Sequence, residues 1–246
     1  VSTQSTGMNE DLLATLYATI FTGSRLLIVT DHPQHLPQFL VQWFSQVDFS
    51  LPLSVHDSVE EALDGVNLFF DLQLLNDSQQ LQLARVISAA TAICTSSTHL
   101  LNVSLVAQFD FSVEVGALHP QPVSLQMQIQ DSLQVAFQQI FVAPQLLLYL
   151  HELIVKFGAM SLKNLQTGEE ALFQVVSWDQ LGELARAFAL IQQRDYVLVK
   201  DLQKSLKFCL QHKVLLKTVA VYKQQVEGGM ELGNVLEDFL EMCQVQ

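Results

Sequence analysis

The residues of this chain whose types and spacing could carry chemistry are a few histidines, strand-end serines and a lysine-rich stretch. Asp31, His32 and His35 stand together after an apolar run, with the two histidines three residues apart. That suits two ligands of a metal ion, but a zinc site takes three or four, and no further ligand stands at a recognisable spacing. No metal is expected. His56 beside Asp57, and Ser96 and Ser97 just before His99, could pair a nucleophile with a base. Neither set extends to a triad, and serines at strand ends commonly satisfy backbone groups. Cys94 sits in an apolar run and reads as a small buried hydrophobe. Six of the twelve basic residues fall between Lys200 and Lys223. They could hold an anion such as a CoA-type phosphate; the plainer alternative is the solvated face of an amphipathic helix.

The elements that must position these residues follow from hydrophobic spacing. A capped helix carries Leu12, Leu13, Leu16 and Ile20 and ends at Gly23. A strand over Arg25–Thr30, a turn over 31–35 and a helix to about Ser45 come next. Further strands are expected over Phe49–Val55, Val66–Leu72, Thr91–Thr95 and Val113–Leu118. Helices are expected over Val59–Leu63, capped by Asp57 and Ser58, over Ser78–Ala90 and over Leu101–Gln108. Near-continuous apolar strands alternating with helices point to a parallel sheet covered on both faces. Beyond Pro122, helices are expected over Ser124–Phe141 and Gln145–Phe157, a strand over Leu172–Val176, a helix over Trp178–Gln192 and a strand over Tyr196–Val199. Two more helices, from Ser205 to about Gln225 and over Leu232–Met242, close the chain.

Composition narrows the class. The chain has 246 residues, 50% of them hydrophobic and 15% charged, with a net charge of −13. Residues 1–155 hold two basic side chains, Arg25 and Arg85, against fourteen acidic ones. A nucleic-acid partner needs a basic surface, so none is expected. No apolar run is long enough to span a bilayer, and the first helix lacks the lysines and arginines of a membrane-surface helix. No signal peptide is read at the start, and the three scattered cysteines fit reduced thiols in a cytoplasmic protein.

Three segments, Asn67-Leu-Phe-Phe-Asp71, Ile93-Cys-Thr-Ser-Ser-Thr-His-Leu-Leu-Asn-Val-Ser-Leu-Val-Ala107 and Gly116-Ala-Leu-His-Pro-Gln-Pro122, carry a family resemblance. Their order and spacing resemble the NAD-binding domain of 3-hydroxyacyl-CoA dehydrogenases. Leu172-Phe-Gln-Val-Val176 and the strand ending in Lys200-Asp201 extend it. The resemblance implies an α/β, Rossmann-like fold: a mostly parallel sheet with helices on both faces, a helical insertion and a short C-terminal helical region. The division expected is an N-terminal extension with a helix over 1–23, a Rossmann-like domain over 24–200 with the insertion at about 124–170, and a helical region over 201–246.

The chemistry of that family is mostly missing. A dinucleotide loop needs glycines for its turn and for close approach to the pyrophosphate. The counterparts are Thr30, His32 and His35, beside Asp31, and no glycine stands between Gly23 and Gly65. Pro33 and Pro37 remove amide donors as well. The catalytic histidine's place holds Leu118, with His119 one residue off; the orienting glutamate's place holds Gln174, or Gln130 if the insertion is placed later, and Gln121 and Ser97 stand near the substrate positions. The resemblance therefore implies a non-catalytic relative acting as a binding or assembly module, with no cofactor and with a protein partner or self-association, a dimer being one form of it. The alternative is a divergent oxidoreductase using NAD, with His119 as base and Gln121, Gln174 and Ser97 around it. A sensor of a small acyl or nucleotide ligand would share the same cleft.

Overall fold

The computed structural model describes residues 10–32, 36–47, 51–56, 59, 62–98, 101–116, 130–163 and 178–209. Five strands form one parallel sheet: β1 (Arg25–Val29), β2 (Leu53–His56), β3 (Val66–Phe69), β4 (Thr91–Ser96) and β5 (Phe111–Glu114), in the order β2-β3-β4-β1-β5. The α/β class with a parallel sheet and helices on both faces is as expected. Strand residues alternate between two cores. Leu26, Ile28, Leu68, Ile93, Phe111 and Val113 face α1 (Glu10–Thr22), α2 (Leu36–Val47) and α7 (Trp178–Ile191). Leu27, Val29, Phe69, Ala92 and Cys94 face α3 (Asp77–Ile87) and α4 (Val103–Val106). Burial on both sides is why these strands read as unbroken apolar runs.

Helix α1 is the centre of the first layer. Every residue from Leu12 to Ile20 is buried, against β1, β4 and β5 on one side and α7 on the other. Its buried Thr15 and Thr19 donate their hydroxyls to carbonyls three or four residues earlier, so neither is left unsatisfied. Gly23, at φ +68°, ends the helix, and the Ser24 amide reaches back to the Thr19 carbonyl at 3.0 Å.

At the amino end of the sheet Arg25 grips Asp110 with two nitrogens, at 2.8 and 3.0 Å, while the Asp110 carboxylate also takes the Arg25 amide. Gln180 of α7 donates to the same carboxylate, and Arg25 reaches the Ser88 carbonyl behind α3. One ion pair thus joins β1, β5 and both helical layers. It also explains why β5 starts at Phe111 rather than at Val113: Asp110 fixes the entry, and Phe111 pairs with Leu26.

Other expectations shift. β2 begins at Leu53 rather than Phe49. No helix forms over the described part of 59–63; Ala62 and Leu63 are not helical, and Leu63 gives both its backbone groups to the buried Asn67 side chain. A short 3-10 turn (Leu72–Leu74) follows β3. Helices α5 (Gln130–Gln139) and α6 (Pro144–Lys163) occupy the stretch read as a helical insertion. The strand expected over Tyr196–Val199 is absent. Tyr196 makes a single bridge to Phe141, and a helix runs over 199–209. The Asp201 carboxylate accepts the Leu198 amide at 2.8 Å at that helix's start and is held by Arg194 at 2.8 and 2.9 Å. A run of β-branched residues is here overruled by a cap. The expected strand over Leu172–Val176 and the helices beyond 209 lie outside the described residues.

The strand order corrects the family. In a dinucleotide-binding sheet β1 lies between β2 and β4, the order being 3-2-1-4-5-6. Here β1 lies between β4 and β5. A strand has been placed where the dehydrogenase fold has none, and motif order along the chain cannot reveal that.

Candidate functional site

In open parallel sheets ligands bind outside the carboxyl ends of the strands, where neighbouring connections leave in opposite directions. That point is the pair β1/β4. β1 is followed by α2 on one face, β4 by α4 on the other. Thr30, buried at the end of β1, hydrogen-bonds through its amide to the Ser96 carbonyl at 3.0 Å. Its hydroxyl accepts the His32 amide. The Ser96 hydroxyl donates to the Thr98 carbonyl at 2.7 Å and accepts the Thr98 amide. Beyond β4, the Ser97 amide donates to Gln73 Oε1 at 3.0 Å. Gln73 Nε2 donates to Asp71 Oδ1, and the Asp71 amide donates to Thr95 Oγ1, both at 3.2 Å.

Among the expected site residues, Thr30 and Ser97 come together at adjacent strand ends, and Thr98 joins them. Asp31 and His32 are exposed beside them. His35, His99, His119, Gln121 and Gln174 lie outside the described residues. Among the described residues no three His, Cys, Asp or Glu side chains stand where they could hold a metal. The ring of His56 donates to Asn67 Oδ1 at 2.7 Å and stacks on Phe69; Asn67 spends its own amide on three carbonyls, so its oxygen is the acceptor. Lys200 and Lys207 are exposed, whereas Lys204 pairs with Asp11 at 2.9 Å and lies over the Phe188 ring.

Among the described residues, the strands bring no cation to these carboxyl ends that would favour an anion. The one arginine or lysine on the five strands is Arg25, at the opposite end and engaged by Asp110. Asp31 and Glu114 are exposed at the carboxyl ends of β1 and β5.

Residues 180–229, about a fifth of the chain, match the AAA lid domain family. No curated protein matches. Among solved structures, a candidate ATPase of Cytophaga hutchinsonii has a similar fold, with a TM-score of 0.65 at 14% identity over 94% of this chain and 88% of its own. These findings overturn the dehydrogenase assignment. The lid match covers the very segment, Tyr196-Val-Leu-Val-Lys-Asp201, taken for a dehydrogenase strand. The pseudoenzyme and oxidoreductase alternatives drawn from that family fall with it, as does NAD. The expectation of no cofactor, with NAD as the alternative, rested on that family and is overturned with it. For a fold similar to that of a candidate ATPase, the group to test is ATP with Mg²⁺.

Two residues passed over in the sequence then matter. Asp71, at the end of the apolar run of β3, is an acidic residue at a strand's carboxyl end, the kind of group that holds Mg²⁺ in P-loop ATPases; Gln73 is its partner. The phosphate loop of that class reads G-x-x-x-x-G-K-[ST] between a strand and a helix. Counted from Thr30, its second glycine falls on His35, its lysine on Leu36 and its hydroxyl on Pro37. Leu36 opens α2 and is wholly buried in the core, and Pro37 brings neither hydroxyl nor amide. Asp71, at φ 55°, already has Gln73 on its carboxylate. The residues present do not fit a grip on the β- and γ-phosphates of ATP·Mg²⁺.

Proposed function

We propose that this chain serves as an AAA+-type, ATPase-like subunit, an α/β core followed by a helical lid, that works in association with further subunits. The observation that carries this is the likeness of fold over nearly the whole chain to a candidate ATPase. The lid match at 180–229 supports it independently, from sequence. Self-association belongs to the same reading, since AAA-type proteins commonly oligomerise. With Leu36 and Pro37 at the positions of the lysine and hydroxyl, the contribution of this subunit lies in its surfaces rather than in a phosphate grip of its own. No described helix is long and apolar enough to cross a membrane.

The test is the mass of the purified chain by sedimentation velocity across a concentration series, with ATP turnover measured on the same samples. A rise in mass with concentration, at negligible turnover, is the expected result. A chain that stays monomeric at the highest concentration removes the assembly half of the reading. Turnover at a rate ordinary for ATPases removes the other half.

A further inference from the structure

We propose that Gln73 ties the carboxyl ends of β3 and β4 into one fixed arrangement in the nucleotide-free chain, so that no ligand is needed to order them. The inference rests on the AAA+-type reading above and goes past it, to how the crevice is held.

Gln73 lies in the turn after β3 and uses both ends of its amide. Oε1 takes the Ser97 amide beyond β4, and Nε2 donates to the Asp71 carboxylate. A second tie runs parallel to it, from the Asp71 amide to the Thr95 hydroxyl on β4. β4 is joined in turn to β1 by the Thr30 amide on the Ser96 carbonyl. The strand-end donor at Ser97 and one carboxylate oxygen of Asp71 are the kinds of group a phosphate and its metal would claim; both are already engaged. Asp71 stands at φ 55°, in the left-handed region that aspartate enters more readily than most residues, and two hydrogen bonds, one on its amide and one on its carboxylate, hold it there. Gln73 is thus a positioning residue, and the order of the crevice is intrinsic to the folded chain.

Hydrogen exchange at single-residue resolution on the full chain tests this. In the nucleotide-free protein the Ser97 and Asp71 amides are expected to be protected, and millimolar ATP·Mg²⁺ is expected to leave both unchanged. Gln73→Ala is expected to speed exchange at Ser97 by about tenfold or more while Asp71, still held by Thr95, changes less. Gln73→Glu turns the end that donates to Asp71 into a second carboxylate facing the first, and is expected to release Ser97 as Gln73→Ala does while the amides inside β1 and β4 stay protected, which a general loosening would not allow. Gln73 is only half-buried, so both variants should fold. An unprotected Ser97 amide in the parent chain overturns the proposal; so does a gain in protection on adding ATP·Mg²⁺. Neither result bears on the sedimentation experiment, so the failure of this inference and the failure of the assembly reading are read separately.

Discussion

Asp110 is the residue on which most separate parts of the molecule converge. Its carboxylate holds the Arg25 side chain and amide and accepts from Gln180. Removing one partner of a buried ion pair strands the other charge. Asp110→Ala should therefore lower unfolding free energy by about 3 kcal/mol in urea titrations, the low end of the range because Arg25 keeps 24% of its side-chain surface in water. Cys94 is a different case. Burial pushes its thiol well up, so the nucleophilic thiolate is not formed. Iodoacetamide should leave Cys94 unlabelled in the native chain and label it after denaturation, as peptide mass spectrometry would show. Glu183 supplies a pH dependence. Burial lifts its carboxyl above the ordinary 4.5 and Asp179 adds to the rise, against the pull of Arg186. The folded state then binds this proton more tightly than the unfolded one. The contribution is most favourable below 4.5 and is lost as pH rises through the folded value. Glu183→Gln should flatten that decline in melts taken across mildly acid pH.

Between neighbouring elements, backbone constraints decide. Gly65 turns the chain into β3 at φ +99°, and a methyl group there would sit 2.2 Å from the Pro52 carbonyl oxygen, the same oxygen that accepts the Val66 amide at 2.9 Å. Gly65→Ala should cost at least about 2 kcal/mol and loosen β2 first, visible as faster exchange along Leu53–His56. How much was legible in the sequence follows the same physics. β1, β3 and β4 are buried on both faces, so their apolar runs announced them. β2 and β5 lie at the two ends of the strand order, and their limits are set by Gly65 and Asp110, distant partners that local pattern does not contain. The capping box of α3, with Asn76 and Gln79 each bonding the other's amide, starts the helix at Asp77, one residue before the Ser78 expected. Strand order was not legible at all, because each crossover helix permits more than one neighbour for its strand. At the site, Thr30 and Ser97 could be placed at strand ends from the sequence. Asp71 and Gln73 could not be chosen without knowing which family's loop to compare.

Taken whole, the molecule is a sheet with two unlike layers: α3 and α4 close in sequence to their strands, α1 and α7 drawn from distant parts of the chain. Lys204 pairing with Asp11 marks the same closure. A chain begun after Gly23 should lose its near-ultraviolet circular dichroism and expose the inner face of α7, since α1 is the body that face packs on. There is a consequence for synthesis on the ribosome. The first helix is complete about 150 residues before its partner α7 begins, on the order of ten seconds at ordinary elongation rates. Through that interval the nascent chain carries an apolar rod with half its socket unmade, so chaperone demand should rise once α1 has emerged and fall once α7 has followed it.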